Sequence, residues 1–356
     1  MLDIGFVHAD SVVAGTPVRL AGTGADVPAD PTADAVLPNA TGVAYGLFVP
    51  DPASRSLLAR ALPSLRPALA RAAAWLDLRE LMLEGGVAPV AMLDLAGELV
   101  AREEDELLVQ QVLDDLVELY WRYVPRDARA ERAGRLEARL WTRLREATTS
   151  SRKAAYFNAW RSIATSPAAL DRMTAIWEGE LEVEGLPLSE RDRTTLALHL
   201  AVRGVPGAES ILDRQAAAID NPDRRERFEF IRPAVSADAA VRDSFFDALG
   251  RAENRGREEW VVTALSYLHH PVRARESVHY LRPALELLPE IRATGDIFFP
   301  TRWLDATLSG HASDEAAAVV RGYIEDTPDL PPRLLGKLQQ EADPLFRAAR
   351  LRRAAR

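Results

Sequence analysis

From Asp51 to the C-terminus, apolar residues recur three and four positions apart, the spacing of one buried helix face. The stretch Glu104 to Val124 carries the clearest pattern. Val109, Val112, Leu113, Leu116, Val117, Tyr120 and Val124 form a single apolar stripe. Glu103, Glu104, Asp105 and Glu106 stand at its start, where negative charge opposes the positive end of the helix dipole. Other helix starts are marked by capping residues: Asp51-Pro52 before Ser54 to Leu62, Ser166-Pro167, Ser189 with Glu190, Asn221-Pro222, and Ser313 with Asp314 and Glu315. About fifteen helical segments follow one another, so a helix pair recurs at roughly 35 to 45 residues, the spacing of stacked helical repeats. Fifteen short helices cannot share one bundle core, and the pattern predicts an α-solenoid of HEAT- or armadillo-like helix pairs.

The first 50 residues lack helical periodicity and are rich in Gly, Pro, Thr and Val. Alternation predicts a strand over Val43 to Val49, with Val43, Tyr45, Leu47 and Val49 on one face and Ala44, Gly46 and Phe48 on the other. Ile4 to Val7 and Pro17 to Leu20 are further strand candidates, separated by turns at Gly22, Gly24, Pro28, Pro31 and Pro38. The expected organisation is therefore mostly α: a short β region over 1–50, the remnant of a β-sandwich, and a solenoid over 51–356. Asp3 to Val7 already reads as structured chain, and the expectation is either a trimmed piece of a longer protein or a truncated gene product.

Composition narrows the function classes. With 356 residues, 47% hydrophobic and 27% charged, the chain can bury a substantial core. A net charge of −9 argues against a general nucleic-acid surface, which needs clustered positive charge to release counterions. The absence of cysteine excludes disulfides, thiolate zinc sites and a cysteine nucleophile. No run approaches the roughly 18 apolar residues of a membrane helix, and the N-terminus carries no secretory signal, so a cytoplasmic location is the expectation.

Local motifs for chemistry are sparse. None of the six histidines (His8, His199, His269, His270, His279, His311) has a second His four residues away with an intervening Glu. Glu276 and His279 are half of a di-iron helix pair, which needs a second copy and two more carboxylates; a surface helix is the expected reading. His269-His270 before Pro271 reads as a cation at a helix end. Gly22-Thr23-Gly24 lacks the third glycine and the helix of a phosphate loop, and Asn39-Ala40-Thr41 is a sequon without a sign of secretion. Arg347, Arg350, Arg352, Arg353 and Arg356 read as a solvated final turn opposing the helix dipole. Phe298, Phe299, Trp303 and Leu304 are expected to fill a groove between two helices, with Pro300 starting the second.

Several of these segments together carry a family resemblance. They are Leu37-Pro38-Asn39 with Gly42, Tyr45-Gly46 and Phe48; Ala72 to Trp75 with Glu80 and Met82 to Gly85; and Arg251, Asn254-Arg255 and Glu258-Glu259-Trp260 with Leu265. Gly295 to Leu308, with Gly310, His311 and Asp314 to Val320, and Pro331-Pro332 to Leu345 complete the set. In this order, over roughly the whole chain, they resemble the C-terminal region of bacterial zinc aminopeptidases of the aminopeptidase N (gluzincin) family. That region comprises the end of a small β-sandwich and an ERAP-like α-solenoid. The resemblance implies a module that packs on the catalytic zinc-peptidase domain, in cis or in trans, and roofs the cavity that admits peptide substrates. Asn39, Tyr45, Gly46, Trp260, Phe298, Phe299, Pro300 and Trp303 match the family's structural motifs, and Arg255, Arg257 and Arg302 are the candidate contacts to a peptide carboxylate.

The family's His-Glu-x-x-His signature, its later Glu ligand and its Gly-x-Met-x-Asn segment are missing. The expectation is no catalytic residue, no metal ligand and no cofactor in this chain, the zinc belonging to the domain it lacks, with no nucleic-acid or membrane partner. The alternative is an independent helical-repeat scaffold that binds a protein or peptide.

Overall fold

The computed structural model describes residues 2–354 apart from Thr16, Ala21 and Ala29; Arg356 of the basic tail lies outside the described residues. A three-stranded antiparallel sheet is built from β1 (Gly5–His8), β2 (Ser11–Ala14) and β3 (Ala35–Leu37), in the order β2-β1-β3. Phe6 stands opposite Val13 on one side and Val36 on the other, and Val7 and Leu37 are fully buried. The strand expected at Ile4 to Val7 is thus present one residue later. Pro17 to Leu20 contributes only a bridge between Val18 and Leu2. Val43 to Val49 forms no strand. Its alternation is real, but no neighbouring strand lies beside it to close a ladder, and alternation alone cannot supply that partner.

After residue 51 the regular elements of the described chain are helices: α1 (Pro52–Ala61), α2 (Ala68–Leu83), α3 (Pro89–Val100), α4 (Glu106–Glu118), α5 (Arg126–Glu146) and α6 (Ser150–Ile163). Then follow α7 (Pro167–Glu178), α8 (Glu190–Val202), α9 (Ala208–Ala218), α10 (Pro222–Val235), α11 (Ala239–Ala248) and α12 (Glu258–Leu268). The short α13 (Ala274–Ser277), α14 (Leu281–Glu286) and α15 (Leu288–Thr294) precede α16 (Phe299–Leu308), α17 (Asp314–Asp326) and α18 (Pro332–Ala354). The chain groups into two compact units, Met1–Tyr120 with Ala138–Ala159, and Trp121–Glu137 with Trp160–Arg356.

The caps read from sequence are made. Asp51 accepts the N–H groups of Ala53 and Ser54 at 3.0 and 3.1 Å, and Pro52 opens α1. Ser166, Asn221 and Ser313 each accept an N–H three residues on, and Ser189 forms a reciprocal capping box with Asp192. The acidic start of α4 is divided between two roles. Asp105 is the cap, whereas Glu103 is buried and takes a bidentate pair from Arg71 at 2.6 Å as well as the N–H groups of Glu104 and Asp105. The helix ends at Glu118 and passes through a π turn, Leu119–Tyr123, rather than continuing straight to Val124.

In the first unit, Ser54 binds the Val36 N–H at 2.9 Å and so holds α1 on β3. The fully buried Trp75 of α2 donates its indole N–H to Asp115 of α4 at 2.7 Å, and Arg79 binds the other oxygen of Asp115 at 2.9 Å. In the second unit α8, α10, α12, α16 and α18 pack successively, each on the next. Their first residues, 190, 222, 258, 299 and 332, lie 32 to 41 positions apart, close to the repeat read from sequence. The intervening α9, α11, α14 and α17 pack onto these as a second row. This is the two-row stacking of helix pairs expected of a solenoid. A continuous apolar core runs between the rows, from Leu198 through Leu265 and Trp303 to Leu345.

Candidate functional site

Two features stand apart from the packed helices. The first belongs to the second unit, a cavity of about 430 Å³. Its walls come from the start of α5, the turn after α12, the α16–α17 turn and the end of α18. Six arginines line it (Arg126, Arg129, Arg273, Arg275, Arg352, Arg353), against Glu276, Asp314 and Glu315.

Local structure fixes most of these charges. Arg129 lies over the Trp121 ring at 4.7 Å and donates to the Trp121 carbonyl at 3.1 Å, a cation–π and hydrogen-bonded arrangement. Arg352 donates to the same carbonyl at 2.7 Å. Arg273 is buried and donates to the carbonyls of Ser236 and Ala201 at 2.7 and 3.0 Å. Burial, reinforced by the nearby charge of Arg242, lowers the pKa of Arg273 to about 10, which leaves it charged at neutral pH. Arg353 pairs with Asp314 at 2.6 Å, and Glu276 with Arg242 at 3.0 Å. Of the C-terminal arginines, Arg350 and Arg353 are exposed as expected of a solvated turn, while Arg352 and Arg353 also line the cavity and Arg347 pairs with Asp343.

The second feature is in the first unit. Val43, Tyr45, Leu47 and Val49 are 82, 106, 52 and 61% exposed, a run of apolar side chains that belongs to no core. Among the described residues, the backbone N–H groups of Tyr45 to Val49 find no backbone acceptor. The start of the run lies against α2, since a β-carbon placed on Gly42 would stand 4.0 Å from that of Ala73. Leu69 and Leu76, one turn either side of Ala73, are themselves 54 and 43% exposed.

The residues singled out from sequence fall in separate places. Asn39 is buried and brackets Ala44, donating to its carbonyl and accepting its N–H, both at 3.2 Å; Tyr45 and Gly46 beyond it are exposed. Phe299, Pro300 and Trp303 are buried in α16, where Trp303 donates to the Ala284 carbonyl at 3.0 Å. Phe298 is 67% exposed and does not share that packing, because α16 begins after it and turns it outward. Trp260 leans on Phe230, with the guanidinium of Arg257 4.8 Å from its ring. Arg302 pairs with Glu258 and Asp296 at 2.8 and 2.6 Å, tying α12 to the turn before α16. Arg255 is buried on the Leu249 carbonyl and Glu290.

The histidines are partnered differently from the sequence expectation. His269 is not a cation at a helix end. It is buried and hydrogen-bonds His311 at 2.9 Å, and burial holds its pKa well below the usual histidine value. His270 accepts the Val272 N–H, and burial keeps it neutral too. His199 shares a 2.9 Å contact with Arg203, which closes the end of α6 by donating to the carbonyls of Arg161, Ser162 and Ala164. Glu276 and His279 do not share a site; His279 faces Asp243 at 3.3 Å. Among the described residues, no three His, Asp or Glu side chains are grouped as metal ligands, and no helix is long and apolar enough to cross a membrane.

Sequence reasoning missed the cavity because its walls come from four distant segments, the tail arginines being their one local sign. No family model matches the chain, and no curated protein matches it.

Proposed function

We propose that this chain is the non-catalytic C-terminal helical module of a zinc aminopeptidase. It would pack against the catalytic zinc domain and roof the cavity in which that domain shortens peptides from the N-terminus. The observation that carries the reading is the exposed apolar run Val43–Val49. Alternating apolar side chains on unpaired backbone are the surface of a strand whose neighbours are elsewhere. The neighbours the reading supplies are the remaining sandwich strands of the parent enzyme, carried in cis or on a separate chain together with the zinc domain. The module's own contribution is geometric, limiting which peptides enter. Of the three arginines considered for peptide contact, Arg255 and Arg302 are committed to carboxylates, whereas Arg257 has no ion pair among the described residues and lies against the Trp260 ring.

The reading is tested on the purified chain and on its coding region. The chain by itself is expected to bind no stoichiometric zinc and to leave an aminoacyl-nitroanilide intact. In-frame or adjacent DNA is expected to encode His-Glu-x-x-His, and co-expression with that domain to give chelator-sensitive turnover. Stoichiometric zinc with turnover by the isolated chain would overturn it. A coding region with no such domain in frame or adjacent would leave the scaffold reading instead.

A further inference from the structure

The arginine cavity is not explained by docking to a catalytic domain. The whole chain carries a net charge of −9, yet here six arginines meet three carboxylates. Four of the six have structural work: Arg129 and Arg352 on Trp121, Arg273 on two carbonyls, and Arg353 on Asp314. Arg126, the first residue of α5, and Arg275, in α13, are exposed and, among the described residues, no side-chain hydrogen bond or ion pair claims either. Among the lining carboxylates, Glu276 and Asp314 are already neutralised by Arg242 and Arg353, which leaves Glu315 as the opposing charge. The start of α17, with the positive end of its dipole, lines the same space.

We propose that this cavity binds a small multivalent oxyanion, held by the guanidinium groups of Arg126 and Arg275 beside the buried charge of Arg273. The volume, about 430 Å³, suits a small molecule and is too small for a folded partner. More than one negative charge is called for because the uncompensated arginines outnumber the single free carboxylate. Guanidinium pairs with phosphate and with carboxylate oxygens in the same two-pronged geometry, so the shared chemistry covers a polyphosphate and a polycarboxylate alike. In an otherwise acidic protein, such a pocket concentrates anions that the remaining surface repels.

Calorimetric titration with pyrophosphate and, separately, with citrate tests the site, with chloride at matched ionic strength as the control. Saturable binding of at least one is expected, weakening as salt is raised. The stronger of the two identifies the ligand source as phosphate or carboxylate. The double variant Arg126→Ala/Arg275→Ala should bind at least about tenfold more weakly, since charged hydrogen bonds are removed. Its unliganded melting temperature should be unchanged, because both side chains are exposed and unpaired. No saturable binding of either anion, or binding that the double variant retains in full, would overturn the proposal. These outcomes do not depend on whether a zinc domain exists.

Discussion

Asp77 sits on α2, buried to 4% exposure, and its Oδ2 meets no hydrogen-bond donor. Burial raises its pKa from 3.8 to about 7. Between those values the native protein holds a proton that the unfolded chain has released. Stability therefore falls as pH rises through that window, and the full penalty is present above pH 7. Asp77→Asn should stabilise the protein at pH 8 by on the order of 2–4 kcal/mol and flatten this part of the pH profile. Urea unfolding at pH 5 and pH 8 checks it; an unchanged pH dependence in the variant would refute the assignment. Asp77 also shows what sequence reading misses at this scale, because an aspartate in a helix pattern reads as surface until its neighbours are known. Arg255 and Arg302 repeat the point: their sequence neighbourhoods suit a ligand contact, and Glu290, Glu258 and Asp296 claim them once the helices pack.

Among elements, the joint between α12 and α16 has an acid-sensitive seam. His269 ends α12 and His311 follows α16, and the two rings hydrogen-bond beneath Tyr280 and away from solvent. The segments approach so closely that a β-carbon on Gly310 would stand 1.6 Å from the His269 carbonyl oxygen. Burial holds both rings neutral and brings His311 to about 4. The unfolded chain takes up protons near pH 6.5 that the native pair refuses, so stability is complete above about 6.5 and is lost as pH falls toward 4. His199 and His270 act in the same sense. The melting temperature should drop between pH 7 and pH 5, and His311→Gln should lessen the drop; an identical slope would contradict this account. Elements whose boundaries are written locally were legible. The caps at Asp51, Ser166, Ser189, Asn221 and Ser313 each lie within three residues of the N–H they bind. The strand expected at Val43 to Val49 is not formed, because alternation is a local signal whereas a strand exists only when another chain segment pairs with it.

At the scale of the molecule, the spacing of helix starts was enough to predict stacked helix pairs, since each pair buries its face on the next and the period survives divergence of the residues themselves. The cavity was hidden for the opposite reason: its arginines line one space while lying in three segments spread over more than two hundred residues. The family reading took up motifs such as Phe299-Pro300 and Trp303, which the fold uses for packing. Its central claim is that Val43–Val49 is a strand awaiting its neighbours. Amide hydrogen exchange over that segment tests it most directly, measured on the chain alone and in complex with the zinc-peptidase domain expected to be encoded in frame or adjacent. Fast exchange in the free chain and protection by at least about tenfold in the complex are predicted, because the N–H groups gain ladder partners. Complex formation with exchange at Tyr45 to Val49 left as fast as before would contradict the claim.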